Sequence, residues 1–140
     1  MTEFRIGSAA EATVMVMHTN TAKAMKSGSL DVFATPALVA LMEQAACNLV
    51  EPLLDEDTTS VGISLNISHD AATAVGRQVT AKAVLVGIDG RKLSFKLTAS
   101  DEHGIIGQGS HERFLVKKEK FMNKLKTCLL YTSPSPRDGL

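Results

Sequence analysis

The chain has 140 residues, of which 44% are hydrophobic, and this length and composition predict one globular domain with a core of its own. Its 15 Lys and Arg residues balance 15 Asp and Glu residues, and aromatic residues make up only 4% of the chain. We therefore expect no nucleic-acid surface and no anionic-membrane surface, because both require excess positive charge.

The two cysteines and the N-terminus indicate the compartment. Cys47 and Cys128 form neither a disulfide framework nor a zinc pattern. No apolar run approaches the ~20 residues that a membrane helix needs, and the N-terminus lacks the pattern of a signal peptide. We therefore expect a soluble, cytoplasmic protein.

The first predicted elements are a strand over residues 4–17 and a short helix within residues 20–29. The second half of the strand is rich in Val and Thr, residues that favour β-structure. Gly28 follows the helical stretch and is typical of a helix end.

A long helix follows within residues 33–52. Thr35 is predicted as its N-cap and Pro36 as its first helical residue, and Pro52 ends it because proline cannot continue a helix. An apolar stripe at helical spacing consists of Leu38, Leu41, Met42, Ala45, Ala46 and Leu49. Glu43 falls on the shoulder of this stripe, where a carboxylate is costly unless it is paired or functional.

Four antiparallel strands are predicted after the helix. Residues 58–68 alternate well, with Val61, Ile63, Leu65 and Ile67 on one side, and His69 continues that side. Strands over residues 75–88, 92–100 and 105–116 follow, and Asp89-Gly90 and His103-Gly104 are the turns between them. Gly107 and Gly109 either weaken the last strand or let another backbone approach closely.

The C-terminal part is predicted to lie outside the fold. Residues 117–126 are charged and compatible with a helix, whereas the stretch LLYTSPSPRDGL has two Ser-Pro steps and no periodicity. We therefore expect a domain over residues 1–127 and a non-native or disordered tail over residues 128–140.

The order of elements predicts an α+β fold. One long helix that is apolar over much of its circumference needs cover on several sides, and a curved antiparallel sheet provides that cover. A curved antiparallel sheet wrapped around one long central helix is the hot-dog fold.

Three sequence runs resemble a known family. VFATPALVALMEQAA, TTSVGISLNISH and GQGSHERF resemble the hot-dog thioesterases of the fluoroacetyl-CoA thioesterase type, and the resemblance covers nearly all of residues 4–120. In that family the site consists of a Thr, a Glu eight positions later on the central helix, and a His on the following strand. By this resemblance Thr35, Glu43 and His69 are the catalytic residues. Gly62 matches a glycine whose N–H binds the thioester oxygen, and Arg113 matches an arginine near the site.

The resemblance implies an acyl-CoA thioesterase that forms a homodimer, or a tetramer, and needs no cofactor and no metal. One departure concerns the substrate. Family members selective for fluoroacetyl-CoA cover the site with aromatic side chains from the segment before the central helix, but residues 19–31 of this chain contain no aromatic residue. We expect hydrolysis of a short-chain acyl-CoA, without assigning the fluorinated substrate.

Each site residue also has a structural interpretation. In this alternative, Thr35 serves only as a helix cap, Glu43 is a solvated residue at the edge of the apolar stripe, and His69 is a core or edge histidine. Gly62 is then a bulge or packing glycine, and Arg113 is a partner in a surface ion pair. By the residues alone, His103 and His111 are interpreted as structural or solvent-facing.

The chemistry fits two routes. His69 can take the proton of the Thr35 hydroxyl, which then attacks the thioester carbonyl, or Glu43 can act directly on water. In the first route Glu43 orients His69 and stabilises its imidazolium. The alternatives for the whole protein are a non-catalytic acyl-CoA-binding hot-dog module and a hot-dog enoyl-CoA hydratase.

Overall fold

The computed structural model describes residues 3–128. Five strands form one sheet around a long helix, and two shorter helices lie outside it. In chain order the elements are β1 (Ala9–Met15), α1 (Ala22–Met25), α2 (Thr35–Val50), β2 (Thr58–His69), β3 (Gln78–Asp89), β4 (Lys92–Asp101), β5 (Gly104–Lys117) and α3 (Lys118–Cys128). The predicted tail lies outside the described residues, apart from Cys128 at the end of α3.

The sheet has the strand order β1-β3-β4-β5-β2, and every neighbouring pair is antiparallel. The predicted hairpin at Asp89-Gly90 is confirmed, with Gly90 at φ 62°, a conformation that favours glycine. The second predicted turn joins β4 to β5 and places Gly104 at φ 134°. β1 and β2 are the edge strands.

The core lies between α2 and the concave face of the sheet. The predicted stripe of α2 is buried, and inward side chains of β3 and β4 pack against it; these are Val79, Ala81, Ala83, Leu85, Leu93, Phe95, Leu97 and Ala99. Burying apolar area of this extent is the dominant favourable term in folding. The predicted hot-dog arrangement of a curved sheet around one central helix is confirmed. Across residues 3–128, no helix is long and apolar enough to cross a membrane.

The start of α2 differs from the prediction by one residue. Ala34, with extended dihedral angles, is the N-cap, and its carbonyl oxygen accepts from the Leu38 N–H at 3.0 Å. Thr35 is already helical, and its side chain makes no capping hydrogen bond. The prediction of Thr35 as the cap is therefore wrong, because Pro36 is tolerated anywhere in the first turn and does not fix the cap position.

The alternation along β2 also differs from the prediction. A β-bulge between Gly62 and Ser64 leaves Ile63 opposite no residue of β5, and Ile63 is 37% exposed. An extra residue reverses the faces of the strand. Ser60 is therefore buried before the bulge, whereas Leu65 and Ile67 lean towards the core after it.

The glycines of β5 allow the close approach that was one of the two predicted alternatives. A Cβ atom on Gly109 would overlap the Asn66 carbonyl oxygen, and one on Gly107 would lie 2.6 Å from the Ser68 carbonyl oxygen. β2 and β5 therefore pair closely up to His69, which lies opposite Gly107.

Candidate active site

Thr35 and His69 are in direct contact. Thr35 is the first residue of α2 and His69 is the last residue of β2, and the Thr35 Oγ1 atom lies 2.7 Å from the His69 Nδ1 atom. This is hydrogen-bonding distance, so the imidazole can accept the hydroxyl proton. The other ring nitrogen, Nε2, is buried and has no hydrogen-bond partner among the described residues.

A cavity of about 240 Å³ adjoins this pair. Its lining includes the small residues Ala22, Ser27, Ala71 and Ala72, together with Phe33. Of the segment over residues 19–31, Ala22 and Ser27 line this cavity. No aromatic residue of that segment lines the cavity.

Glu43, at the middle of α2, binds Arg113 of β5. The Arg113 Nη1 atom donates to the Glu43 Oε2 atom at 3.2 Å. Arg113 is buried, and its Nε and Nη2 atoms donate to the hydroxyl and the carbonyl oxygen of Ser60 at 2.8 and 3.1 Å. The Glu43 side chain remains 41% exposed, so the carboxylate is both anchored and accessible.

His111 completes this group and was not among the predicted site residues. Its side chain is 1% exposed, and its Nε2 atom lies 3.2 Å from Arg113 Nη1 and 4.0 Å from Glu43 Oε2. The interpretation of His111 from the sequence, as structural or solvent-facing, did not predict this contact. The available sequence indication was strand parity, since His111 and Arg113 are two apart in one strand and share a face.

Gly62 lies directly against the Glu43 carboxylate. It faces Arg113 across the β2–β5 pair, and a Cβ atom at this position would lie 2.6 Å from Glu43 Oε2 and 3.3 Å from His111 Cε1. Any side chain here would displace the carboxylate. The structure thus brings Gly62, Glu43 and Arg113 together.

The family model described as "Fluoroacetyl-CoA-specific thioesterase" (FlK) matches residues 16–119. The chain belongs to this thioesterase family. A fluoroacetyl-CoA thioesterase from Streptantibioticus cattleyicolor is 40% identical to this thioesterase over 96 residues, which are 69% of this chain and 69% of the relative.

Solved structures of FlK superpose closely on this thioesterase. One FlK structure has a TM-score of 0.85 at 31% identity and covers 95% of this chain and 100% of that chain. A FlK variant in complex with acetyl-CoA has a TM-score of 0.82 at 32% identity and covers 89% of this chain and 98% of that chain. The predicted family, the hot-dog fold and the assignment as a thioester hydrolase are confirmed, and hydrolysis is favoured over the binding module and the hydratase.

Within one chain of this thioesterase, the five predicted site residues form two groups. Thr35 and His69 make the first, and Glu43, Arg113 and Gly62 make the second. Thr35 and Glu43 are eight residues apart on α2, which is about 12 Å along the helix axis. Among residues 3–128, no hydrogen bond or ion pair joins Glu43 to His69, so the predicted support of His69 by Glu43 is not made within this chain.

Cys47 lies one turn beyond Glu43 on α2 and is partly buried. Burial raises the pKa of its thiol, with a smaller raising contribution from Glu51 and Glu43 and an opposing one from Arg113. The thiol is therefore protonated at neutral pH and is a poor nucleophile. In the part of the chain that the structure describes, no group of three or more His, Cys, Asp or Glu side chains is arranged to hold a metal ion.

Proposed function

We propose that this thioesterase hydrolyses a short-chain acyl-CoA to the free acid and CoA, using Thr35, His69 and Glu43 as catalytic residues. The observation that carries this proposal is the 2.7 Å contact between Thr35 Oγ1 and His69 Nδ1. A threonine hydroxyl is a weak nucleophile until a base accepts its proton, and a histidine is suited to that role near neutral pH.

The contact supports one order of proton transfers. His69 accepts the hydroxyl proton, Thr35 Oγ1 attacks the thioester carbonyl, and the imidazolium then returns the proton to the leaving CoA thiolate. Water cleaves the acyl-threonine with His69 again as base, giving the acid. In the second route a water molecule attacks the thioester directly, with Glu43 as the base, and the proton passes to the leaving CoA thiolate. Both routes consume one water molecule per thioester.

The developing oxyanion needs donors that are already oriented. Backbone N–H groups in the first turn of α2 have no partner within the helix, and Thr35 begins that turn. The Gly62 N–H, which the resemblance implies as a donor to the thioester oxygen, is the second proposed donor. Arg113 binds Glu43 and adds positive charge beside the second group of site residues.

The volume and lining of the cavity beside Thr35 support a small acyl group. A cavity of about 240 Å³ whose lining includes three alanines and a serine suits a small acyl group. A FlK variant forms a complex with acetyl-CoA, which supports the same size class here. Without an aromatic lid, we expect acetyl-CoA and propionyl-CoA to be hydrolysed at rates comparable to fluoroacetyl-CoA.

We also propose that the protein is a cytoplasmic homodimer, with a tetramer as the larger alternative. β2 is an edge strand, and an unpaired edge is a liability unless another strand covers it. If two copies of β2 pair antiparallel about an axis between Leu65 and Asn66, Gly62 of one copy lies opposite the partner's His69. Glu43 would then reach the Thr35–His69 pair of the partner subunit. No cofactor and no metal is needed for this chemistry.

The test is thiol release from acetyl-, propionyl-, butyryl- and fluoroacetyl-CoA, with the wild type and His69→Ala side by side. We expect release with the wild type and a loss of about 100-fold or more in kcat for the folded variant. Equal rates for the two proteins would contradict the role of His69. A wild type that is stabilised by acyl-CoAs but hydrolyses none of them would favour the binding module.

A further inference from the structure

His111 is the most completely buried ionisable side chain next to the Glu43–Arg113 pair, and neither proposed route uses it. It stands in the middle of β5, with its ring 6.0 Å from the ring of Phe95 on β4, measured between centroids. Leu65 of β2 lies opposite it in the ladder. Because two neighbouring strands and the helix enclose the ring, its orientation is fixed by packing.

The two ring nitrogens of His111 have different partners. Nδ1 lies 2.8 Å from the Ser64 carbonyl oxygen, which can only accept a hydrogen bond, so Nδ1 carries the proton. Nε2 lies 3.2 Å from Arg113 Nη1, which can only donate. His111 is therefore the neutral Nδ1–H tautomer, and its Nε2 lone pair points at the guanidinium.

The Arg113 side chain is held on three sides. Ser60 accepts from Nε and Nη2, while the two hydrogens of Nη1 have separate acceptors in His111 Nε2 and Glu43 Oε2. Because the guanidinium is planar and its hydrogens lie in that plane, the acceptor at His111 helps to fix the plane and with it the second Nη1 hydrogen, which is bound to Glu43.

We propose that His111 is a positioning residue for catalysis, which orients the Arg113 guanidinium and through it the Glu43 carboxylate. This inference rests on the proposed catalytic role of Glu43. His111 touches neither Thr35 nor His69, so it acts only through Glu43. Without the acceptor at His111 only Ser60 and Glu43 hold the guanidinium, so its plane can tilt and Glu43 loses its single orientation.

Two variants separate positioning from packing. His111→Gln keeps an acceptor at about the place of Nε2, whereas His111→Leu keeps an apolar side chain of comparable size without one. We expect His111→Leu to lower kcat about 10-fold with little change in KM, and His111→Gln to restore most of that loss. His103→Leu, at the exposed β4–β5 turn, is the matched control and should leave kcat unchanged.

A double-mutant cycle tests whether the effect passes through Glu43. In the Glu43→Gln background, His111→Leu should cost less than about 2-fold in kcat, because the oriented carboxylate is already gone. Losses that multiply independently, or a Gln variant no better than the Leu variant, would overturn the positioning role.

A measurement on the wild type does not depend on the folding of any variant. In a ¹⁵N-labelled sample at neutral pH, the His111 ring should show a protonated Nδ1 and an unprotonated Nε2. A proton on Nε2 would overturn the inference directly. If the tautomer is as stated and the wild type hydrolyses the acyl-CoA panel, unaltered kcat in His111→Leu would overturn the inference alone; an inactive wild type would overturn the proposed function and the inference with it.

Discussion

Thr35 Oγ1 and His69 Nδ1 lie 2.7 Å apart although 34 residues separate them in the chain. One begins the central helix and the other ends an edge strand, so the contact exists only when α2 lies in the curve of the sheet. Because Ala34 takes the N-cap position, the Thr35 hydroxyl is not used to cap the helix. It is available to His69.

The first prediction concerns Thr35. Since the hydroxyl caps no backbone group, Thr35→Ala should change the free energy of unfolding by about 1 kcal/mol or less. It should lower kcat about 100-fold or more, whereas Thr35→Ser keeps a hydroxyl and should retain much of the activity. Acyl-CoA hydrolysis and urea unfolding of the three proteins check this. A fully active Thr35→Ala variant would exclude an acyl-threonine intermediate.

The second prediction concerns the charge of Glu43. Glu43→Gln keeps the shape and can still accept from Arg113, but it cannot act as a base or stabilise an imidazolium. We expect kcat to fall about 100-fold or more, with the free energy of unfolding within about 1 kcal/mol of the wild type because the carboxylate is partly exposed. Glu51→Gln, about two helical turns further on at the C-cap of α2, is the control for a general change of charge. Comparable activity of Glu43→Gln and wild type would support the solvated-shoulder interpretation.

The fold was largely predictable because its determinants are local. The stripe of α2, the stop at Pro52 and the Asp89-Gly90 turn depend on residues within one element or one turn. The bulge at Ile63 was not predictable, since one extra residue in β2 leaves the alternation of residue types intact. The cap was misplaced because it depends on the dihedral angles of Ala34, which the residue types do not reveal.

The candidate site was predicted as a set of residues but not as an arrangement. Sequence resemblance indicated Thr35, Glu43 and His69, yet Glu43 is held by Arg113, 70 positions away. Such a pairing depends on how β5 is placed against α2, and no periodicity encodes it. His111 was missed for the same reason, because a lone histidine in a strand shows no partner until the neighbouring strand is known.

The third prediction compares two glycines. An alanine Cβ at Gly62 would press on the end of the flexible Glu43 side chain, whereas one at Gly109 would overlap the Asn66 backbone. Gly62→Ala should therefore fold with a free energy of unfolding within about 1 kcal/mol of the wild type but lose about 10-fold or more in kcat. Gly109→Ala should lose about 2 kcal/mol or more of stability. A Gly62→Ala variant with wild-type kcat would show that the carboxylate position is not critical.

The fourth prediction concerns acid stability. Burial lowers the pKa of His111 below its usual 6.5, against the hydrogen bond to the Ser64 carbonyl; Arg113 lowers it further, while Glu43 and Glu112 raise it. Between the folded pKa and 6.5, the unfolded chain therefore binds a proton at His111 that the folded protein does not bind. The contribution of His111 to the free energy of unfolding should fall as the pH drops below 6.5 and should level off below the folded pKa of this residue.

Urea unfolding between about pH 7.5 and about pH 5.5 measures this effect. His111→Gln has no titrating ring, so its free energy of unfolding should fall less over this range than that of the wild type. Parallel curves for wild type and His111→Gln would show that His111 does not resist protonation.

The last prediction tests whether the two groups of site residues meet across a dimer. Thr35 and His69 of one copy would use Glu43 of the partner subunit, so Glu43→Gln and His69→Ala damage different halves of each site. Each variant should be inactive as a homodimer. When the two variants are co-expressed with different affinity tags, each mixed dimer contains one site in which Thr35, His69 and Glu43 are all intact. The mixed dimer should recover about half of the wild-type activity per dimer. Light scattering of the purified sample establishes that it is a dimer. A mixed dimer as inactive as its parents would place Glu43 and His69 of each site in one chain, and a clean monomer at micromolar concentration would exclude the shared site altogether.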